Sequence, residues 1–428
     1  MKLNEIIDIV KASGADAWEI TDIKEEGWEF YFIRHKLDQN RVKLVEHIRV
    51  TVYKKSEDGQ FLGSAGGEIA PTADAEEAGR IVGGLIRNAA YVRNPFYTLN
   101  KPFEGMGEVP GEPVDPAAIA KDFIEAVRAV PETATEDINS WELFVSAKNR
   151  RFVNSEGVDV TYAYPDCMLE AVINARRDGH EIELYRLYKS GGCDRAALAR
   201  DIGETLRYGK DKLVAKDTPN LEKADVVFST DAALEIYDWF ALRMNAAFKV
   251  RGLSDWEAGK PVAEGATGDR VTLTAVKRLP NSSRNAACDA EGAPVREAAL
   301  IEDGVAKRFL GDRQFSQYMG LEESFQPGNL VASGGSMSAD ELRQGRFLEV
   351  VEFSDFQVNP MNGDIAGEIR LAYWHDGDTV TPVSGGSVSG TMADFAKTMR
   401  MSKETRQYDC WIVPAVTRLK DVTVTGAM

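Results

Sequence analysis

The sequence predicts an α+β protein: an N-terminal α+β domain on a mostly antiparallel sheet, followed by a strand-rich C-terminal domain. Three observations carry this. Runs of β-branched and aromatic residues follow one another without a helix between them, as in residues 26–55 and 141–189. The helical patterns of the first half are set apart from those runs, at 2–13, 73–91, 116–130 and 194–209. Beyond residue 225 the chain is rich in glycine turns and short strands, with helical patterns only near 231–248, 312–319 and 391–401. A doubly wound parallel sheet would alternate strand and helix throughout.

Taken in order, Leu3, Ile6, Ile7 and Val10 share one face of a helix that Gly14 ends. Residues 26–35 and 41–55 read as strands joined by the polar KLDQN, and 58–71 reads as a hairpin with glycine turns. Residues 94–116 are a Pro- and Gly-rich connector. Short strands then alternate through WELFVSA, RRFVNSEGVDVTYAY, CMLEAVINAR and EIELYRLYKS. With 428 residues, two or three domains are expected at roughly 100–200 residues each. The polar, proline-containing 209–225 marks the boundary, giving domains 1–215 and 216–428.

Composition excludes several classes of function. Hydrophobic content of 43% and charged content of 28% are those of a globular chain with an ordinary core. A net charge of −17 repels phosphate backbones and anionic lipid headgroups, so neither nucleic acid nor membrane is an expected partner. The densest basic clusters, Lys148 to Arg151 and Arg176–Arg177, are short. Cys167, Cys193, Cys288 and Cys410 lie far apart, which fits neither a zinc knuckle nor a disulfide scaffold and reads as reduced thiols. The N-terminus lacks the apolar run of a signal peptide, and no stretch reaches the ~18 apolar residues of a membrane span. A cytoplasmic location is expected.

No common catalytic motif is intact. None of His35, His47, His180 and His375 has a second histidine four or five residues away on a helix, as a zinc site needs. His35 and His47 sit on consecutive expected strands and could face each other across a hairpin, but ordinary strand histidines are the favoured reading. SGGSVSG (384–390) misses the G-x-S-x-G elbow by one position, and no histidine follows His375. Ser389 reads instead as lying near the N-cap of the next helix. GGSMSADEL (334–342) lacks a P-loop lysine, and Ser338 reads as the cap of the ADEL turn. Asp376-Gly377-Asp378 reads as a hairpin turn.

Several segments together resemble one family. FVNSEGVDVTYAY (152–164) is similar to an N-S-x-G segment of the TldD/PmbA family, also called modulators of DNA gyrase and regarded as metallopeptidase subunits. ACDAEGAPVREAALIEDGVAKRFLGDRQFSQYMG (287–320) resembles its D-x-E-G-x-P segment. MNGDIAGEIRLAYWHDGDTVTPVSGGSVSGTMADF (361–395) and VPAVTRLKDVTVTG (413–426) resemble its later strands. The order and spacing of these segments carry the resemblance, most strongly after residue 220.

The resemblance implies a dimer enclosing a chamber for unfolded peptide. In the TldD branch, a helix after a VV strand carries H-E-x-x-x-H, whose histidines bind zinc and whose glutamate polarises a water. Here VVFSTDAALEIYDWFALRMNAAF (226–248) occupies that place, and the three slots hold Asp238, Trp239 and Arg243. Arginine stays protonated and cannot ligate zinc. Cys410 lies near the position of a further cysteine ligand, but closer to Pro414 than expected of it, so that role is not carried over. The chain therefore resembles the zinc-less PmbA (TldE) branch. The implied function is that of a non-catalytic subunit, inactive alone, with no cofactor of its own. Zinc is expected only in a TldD-like partner, and the partners are that subunit or a second copy, with unfolded peptide as substrate. Asn154, Ser155, Gly157 and Cys410 are the candidate peptide-groove residues. The alternative is a self-associating protein that binds peptide or another ligand without cleaving it. Direct action on DNA or gyrase is disfavoured by the charge.

Overall fold

The computed structural model describes residues 3–106 and 114–427. Part of the expected 94–116 connector, residues 107–113, lies outside the described residues. The fold is α+β as expected. In the first half, alternating apolar and polar residues build one six-stranded antiparallel sheet. Its spatial order is Leu62–Ile69, Lys36–Lys55, Ala17–Ile33, Glu136–Asn154, Asp159–Arg177, His180–Ser190. The helices cover one face in two pairs. Leu3–Ala12 and Ala75–Ala89 bury Ile20, Ile48, Val50 and Val52 at one end. Pro116–Arg128 and Arg195–Lys212 bury Phe32, Trp141, Leu143 and Leu169 at the other. Asp74, Asp115 and Asp194 cap three of these helices by accepting from N–H groups of the first turn.

The strands are longer and fewer than the sequence pattern suggested. WELFVSA and RRFVN run as the single strand Glu136–Asn154, straight through Lys148–Arg151. The charges alternate faces, and each finds a local partner: Lys148 pairs with Asp166, and Arg151 with Asp159 at 2.8 Å. VTYAY and CMLEAVINAR likewise fuse into Asp159–Arg177, across Pro165. KLDQN belongs to a strand, and the turn is Arg34–His35, with Arg34 at φ 53°. Consequently His35 and His47 do not face each other. His47 stands opposite Ile23, and each histidine contacts a glutamate, Glu132 at 2.9 Å for His35 and Glu68 at 2.7 Å for His47. The expected hairpin at 58–71 supplies one strand only, Leu62–Ile69, because its first arm forms the turn out of Lys55.

From Lys216 the chain enters two further sheets. In one, Phe347–Val358 pairs with both Leu221–Phe228 and Asp364–Asp376, so five strands close into a ring through Thr417–Thr425 and Ser387–Thr391. The other holds six strands, centred on Thr272–Val276 and Asn329–Ser333. A single apolar core joins Val226 and Phe228 of the ring, Ile236, Tyr237 and Phe240 of helix Ala233–Arg243, and Leu273 and Ala275 of the second sheet. The helical pattern expected over 231–248 is two helices, Ala233–Arg243 and Ala246–Val250. Asn245 divides them by accepting from Ala247 N at 2.9 Å, a cap that starts a new helix. Ser338 caps its turn in a capping box with Glu341, as expected. Ser389 lies within strand Ser387–Thr391, and Thr391 is the cap of Met392–Thr398.

Candidate functional site

Helix Ala233–Arg243 is fixed by its buried face, where Ile236, Tyr237 and Phe240 enter the core and the Tyr237 hydroxyl meets Thr417 Oγ1 at 2.6 Å. The three slot residues follow from that orientation. Trp239 is buried, with its ring edge-on to Trp256 at 5.4 Å and to Phe240 at 5.1 Å. Arg243 lies 5.5 Å from the centres of both the Trp239 and Trp256 rings. Its guanidinium donates to Leu253 O at 2.8 Å and pairs with Asp255. Gly363 backs the cage so closely that a Cβ there would stand 3.2 Å from Trp239 Nε1. Asp238 is half-buried, and burial alone raises its carboxyl pKa.

Cys410 lies close enough to this helix to feel the charge of Asp238. Burial lifts its thiol to about 11, with Asp409 adding, Arg284 opposing and Asp238 a smaller contributor. Among the described residues, no group of three or more His, Cys, Asp or Glu is placed to hold a metal ion. The residues at the slots do not fit zinc. Where the resemblance places a carboxylate stands an indole, which offers zinc no lone pair, and where it places an imidazole stands a permanent cation.

A second constellation joins the two halves. Asn154 is buried at the end of its strand. Its Oδ1 accepts from Glu156 N and Val158 N at 3.0 Å, and its Nδ2 donates to Asn100 O at 2.8 Å. Ser155 Oγ accepts from Trp18 N at 3.1 Å, and Gly157 turns the chain at φ 98°. These groups are engaged within the protein. Asp289 builds a matching turn, taking N–H bonds from Glu291, Ala293 and Gln326, each at 2.9 Å. Gly292, at φ 79°, lies against Phe152, whose Cε1 would be 2.5 Å from an added Cβ. Arg150 ties the two turns: it donates to Tyr162 OH at 2.7 Å, Asp289 O at 3.0 Å and Ala290 O at 2.7 Å. The structure thus brings 150–158 and 287–293 together, while Cys410 lies apart from them at the end of strand Trp411–Pro414. Arg150 was visible in the sequence only as one member of a basic cluster.

Two half-buried carboxyls lie at this junction. Glu19 accepts from Tyr53 OH at 2.7 Å, and Glu291 accepts from Arg313 N at 2.7 Å. Burial raises Glu19 from an ordinary 4.5 to about 8 and Glu291 to about 7; the Glu291 charge adds to Glu19, and Asp289 to Glu291. A carboxyl raised on folding makes the folded state bind more protons than the unfolded one. Stability therefore falls as pH rises from about 4.5 to about 8 and levels off above. Thermal melts at pH 6 and pH 9 should show the loss, and Glu19→Gln should reduce it by at least ~2 °C. Equal pH dependence in wild type and variant would contradict the assignment.

With this geometry established, comparisons place the chain. A family model described as PmbA/TldA metallopeptidase C-terminal domain matches residues 221–426. Residues 221–426 of the chain belong to the PmbA/TldD family as its C-terminal domain. Among solved structures it is similar in fold to TldE from Thermococcus kodakarensis, with TM-score 0.73 and 16% identity over 99% of this chain and 100% of that one. A candidate modulator of a DNA gyrase from Thermotoga maritima superposes with TM-score 0.75 and 16% identity, over 99% of both chains. A candidate modulator of DNA gyrase from Bacteroides thetaiotaomicron gives TM-score 0.74 and 14% identity, over 99% of this chain and 98% of that one. An uncharacterized protein of Methanocaldococcus jannaschii is 24% identical over 285 residues, which span 62% of this chain and 64% of that relative, less than two thirds of its length. In this chain, the N-S-x-G and D-x-E-G segments act as the paired turns of the junction between its halves. Among the described residues no helix is long and apolar enough to cross a membrane.

Proposed function

We propose that this chain is the non-catalytic subunit of a TldD/TldE-type metallopeptidase complex that acts on unfolded peptides. The observation that carries the proposal is the aromatic cage around Trp239 and Arg243, at the helix where the resemblance places a zinc-binding motif. Filling two of those slots with an indole and an engaged guanidinium removes the general base and one of the two histidine ligands, and leaves Asp238 alone in the third. Catalysis then falls to a zinc-bearing sister subunit, and this chain completes the chamber and holds peptide.

A strand edge suits the second task. Strand Lys36–Lys55 pairs with Leu62–Ile69 only from Ile48 onward, which among the described residues leaves one edge of 36–47 open, with Val42 and Leu44 exposed. An extended peptide adds to such an edge through backbone bonds, with loose sequence preference. Purified from its native organism, the chain should bring down a sister carrying H-E-x-x-x-H. Recovery of a self-assembly alone, with no such sister, would replace this reading with that of a self-associating ligand-binding protein.

A further inference from the structure

A cleft of about 460 Å³ opens between helix Arg195–Lys212 of the first half and the closed ring of the second, away from the Trp239 cage. That volume is in the range of small-molecule sites. Its walls carry both signs of charge in equal number: Arg207, Arg343 and Arg406 against Glu204, Asp211 and Glu349. Glu204, Arg207, Tyr208 and Asp211 recur at three, four and seven residues, so one face of the helix presents them together.

The charges are not all spent on each other. Glu349 is saturated: its Oε1 accepts from Ser229 Oγ at 2.6 Å and Arg343 Nη2 at 2.8 Å, and its Oε2 from Arg343 Nε at 3.2 Å. Arg406 is held by Asp201 at 2.6 Å and Glu204 at 3.3 Å. Among the described residues, by contrast, Arg207 has no carboxylate within ion-pair distance. Asp211 uses Oδ2 for the Tyr373 hydroxyl at 2.6 Å, and Glu204 uses Oε2 for Arg406, so each has a second oxygen left for a ligand. His375 stacks on Phe347 at 4.1 Å with its ring in the cleft wall. Val351, Val380 and Val416 line the remainder.

A free anion or a free cation would leave one sign of spare charge unmatched. A molecule carrying both an ammonium and a carboxylate matches both. We infer that this cleft binds a small zwitterion with an aliphatic side chain, a free amino acid or a short peptide, its carboxylate on Arg207 and its ammonium on a spare carboxylate oxygen one helical turn away. With its termini on helix Arg195–Lys212 and its side chain against Val351, Val380 and Val416, the ligand would bridge the two halves of the chain. The inference does not depend on the subunit reading, and its failure leaves that reading intact.

Isothermal titration of the purified full chain tests it with L-leucine, the dipeptide Ala-Leu, N-acetyl-Ala-Leu and Ala-Leu amide. Leucine or Ala-Leu should bind with Kd about 1 mM or tighter, the tighter of the two identifying the source. Blocking either terminus, or Arg207→Gln, should weaken binding about tenfold, the worth of one charge-assisted contact. Arg207 is exposed, so its replacement leaves the fold intact, and the remote Arg80→Gln should leave binding unchanged. No heat from leucine or Ala-Leu, equal binding of the blocked dipeptides, or an Arg207→Gln variant equal to wild type would overturn the inference.

Discussion

Replacing Trp239 with alanine is expected to cost about 3–5 kcal/mol of folding stability. The residue is buried against Trp256, Phe240 and the backbone at Gly363, so its removal opens a cavity in the core. The Arg243 guanidinium also loses one of the two rings it lies over. Urea unfolding should show a much lower midpoint for Trp239→Ala and a small change for Trp239→Phe, which keeps most of the packing. A Trp239→Ala protein as stable as wild type would mean that the slot is loosely packed and free to hold something else. The prediction therefore bears on function. A residue this important to the core is not a vacant ligand position.

Replacing Arg150 with methionine is expected to cost about 3 kcal/mol or more, since it strips a charge-assisted donor from the Asp289 and Ala290 carbonyls and from Tyr162. The guanidinium is buried, so water cannot substitute freely. These bonds join the N-terminal sheet to the turn at 289–293, and their loss should uncouple the two halves. Hydrogen exchange should then show protection lost first around 150–158 and 287–293. Uniform loss across the whole chain, or none, would contradict a local tie at this junction.

Much of the fold was legible in the sequence. The helices at 3–12, 75–89, 116–128 and 195–212 follow from apolar spacing and aspartate caps, and these are local signals. The long strands were not legible, because a run such as Lys-Asn-Arg-Arg looks like a break. In the sheet it alternates faces, and each charge meets a partner from a neighbouring strand or from the other half. Asn245 hid the helix break for a similar reason, since a lone polar residue in an apolar pattern does not announce that it caps. The slots at 238, 239 and 243 were placed by resemblance. What fills the cage, Trp256 and Gly363, comes from distant segments that no spacing rule connects. The cleft at Arg207 was equally invisible, being made where helix Arg195–Lys212 meets Ser229 and residues from 339 onward.

The proposed division of labour is tested most directly by elemental analysis of the purified chain after incubation with zinc, alongside a peptidase assay on an unfolded polypeptide. The expected result is zinc well below one per chain and no cleavage that a chelator abolishes, with cleavage appearing when a histidine-bearing sister is added. One zinc per chain, together with chelator-sensitive cleavage by the chain alone, would contradict the reading of Asp238, Trp239 and Arg243 as a site without metal chemistry.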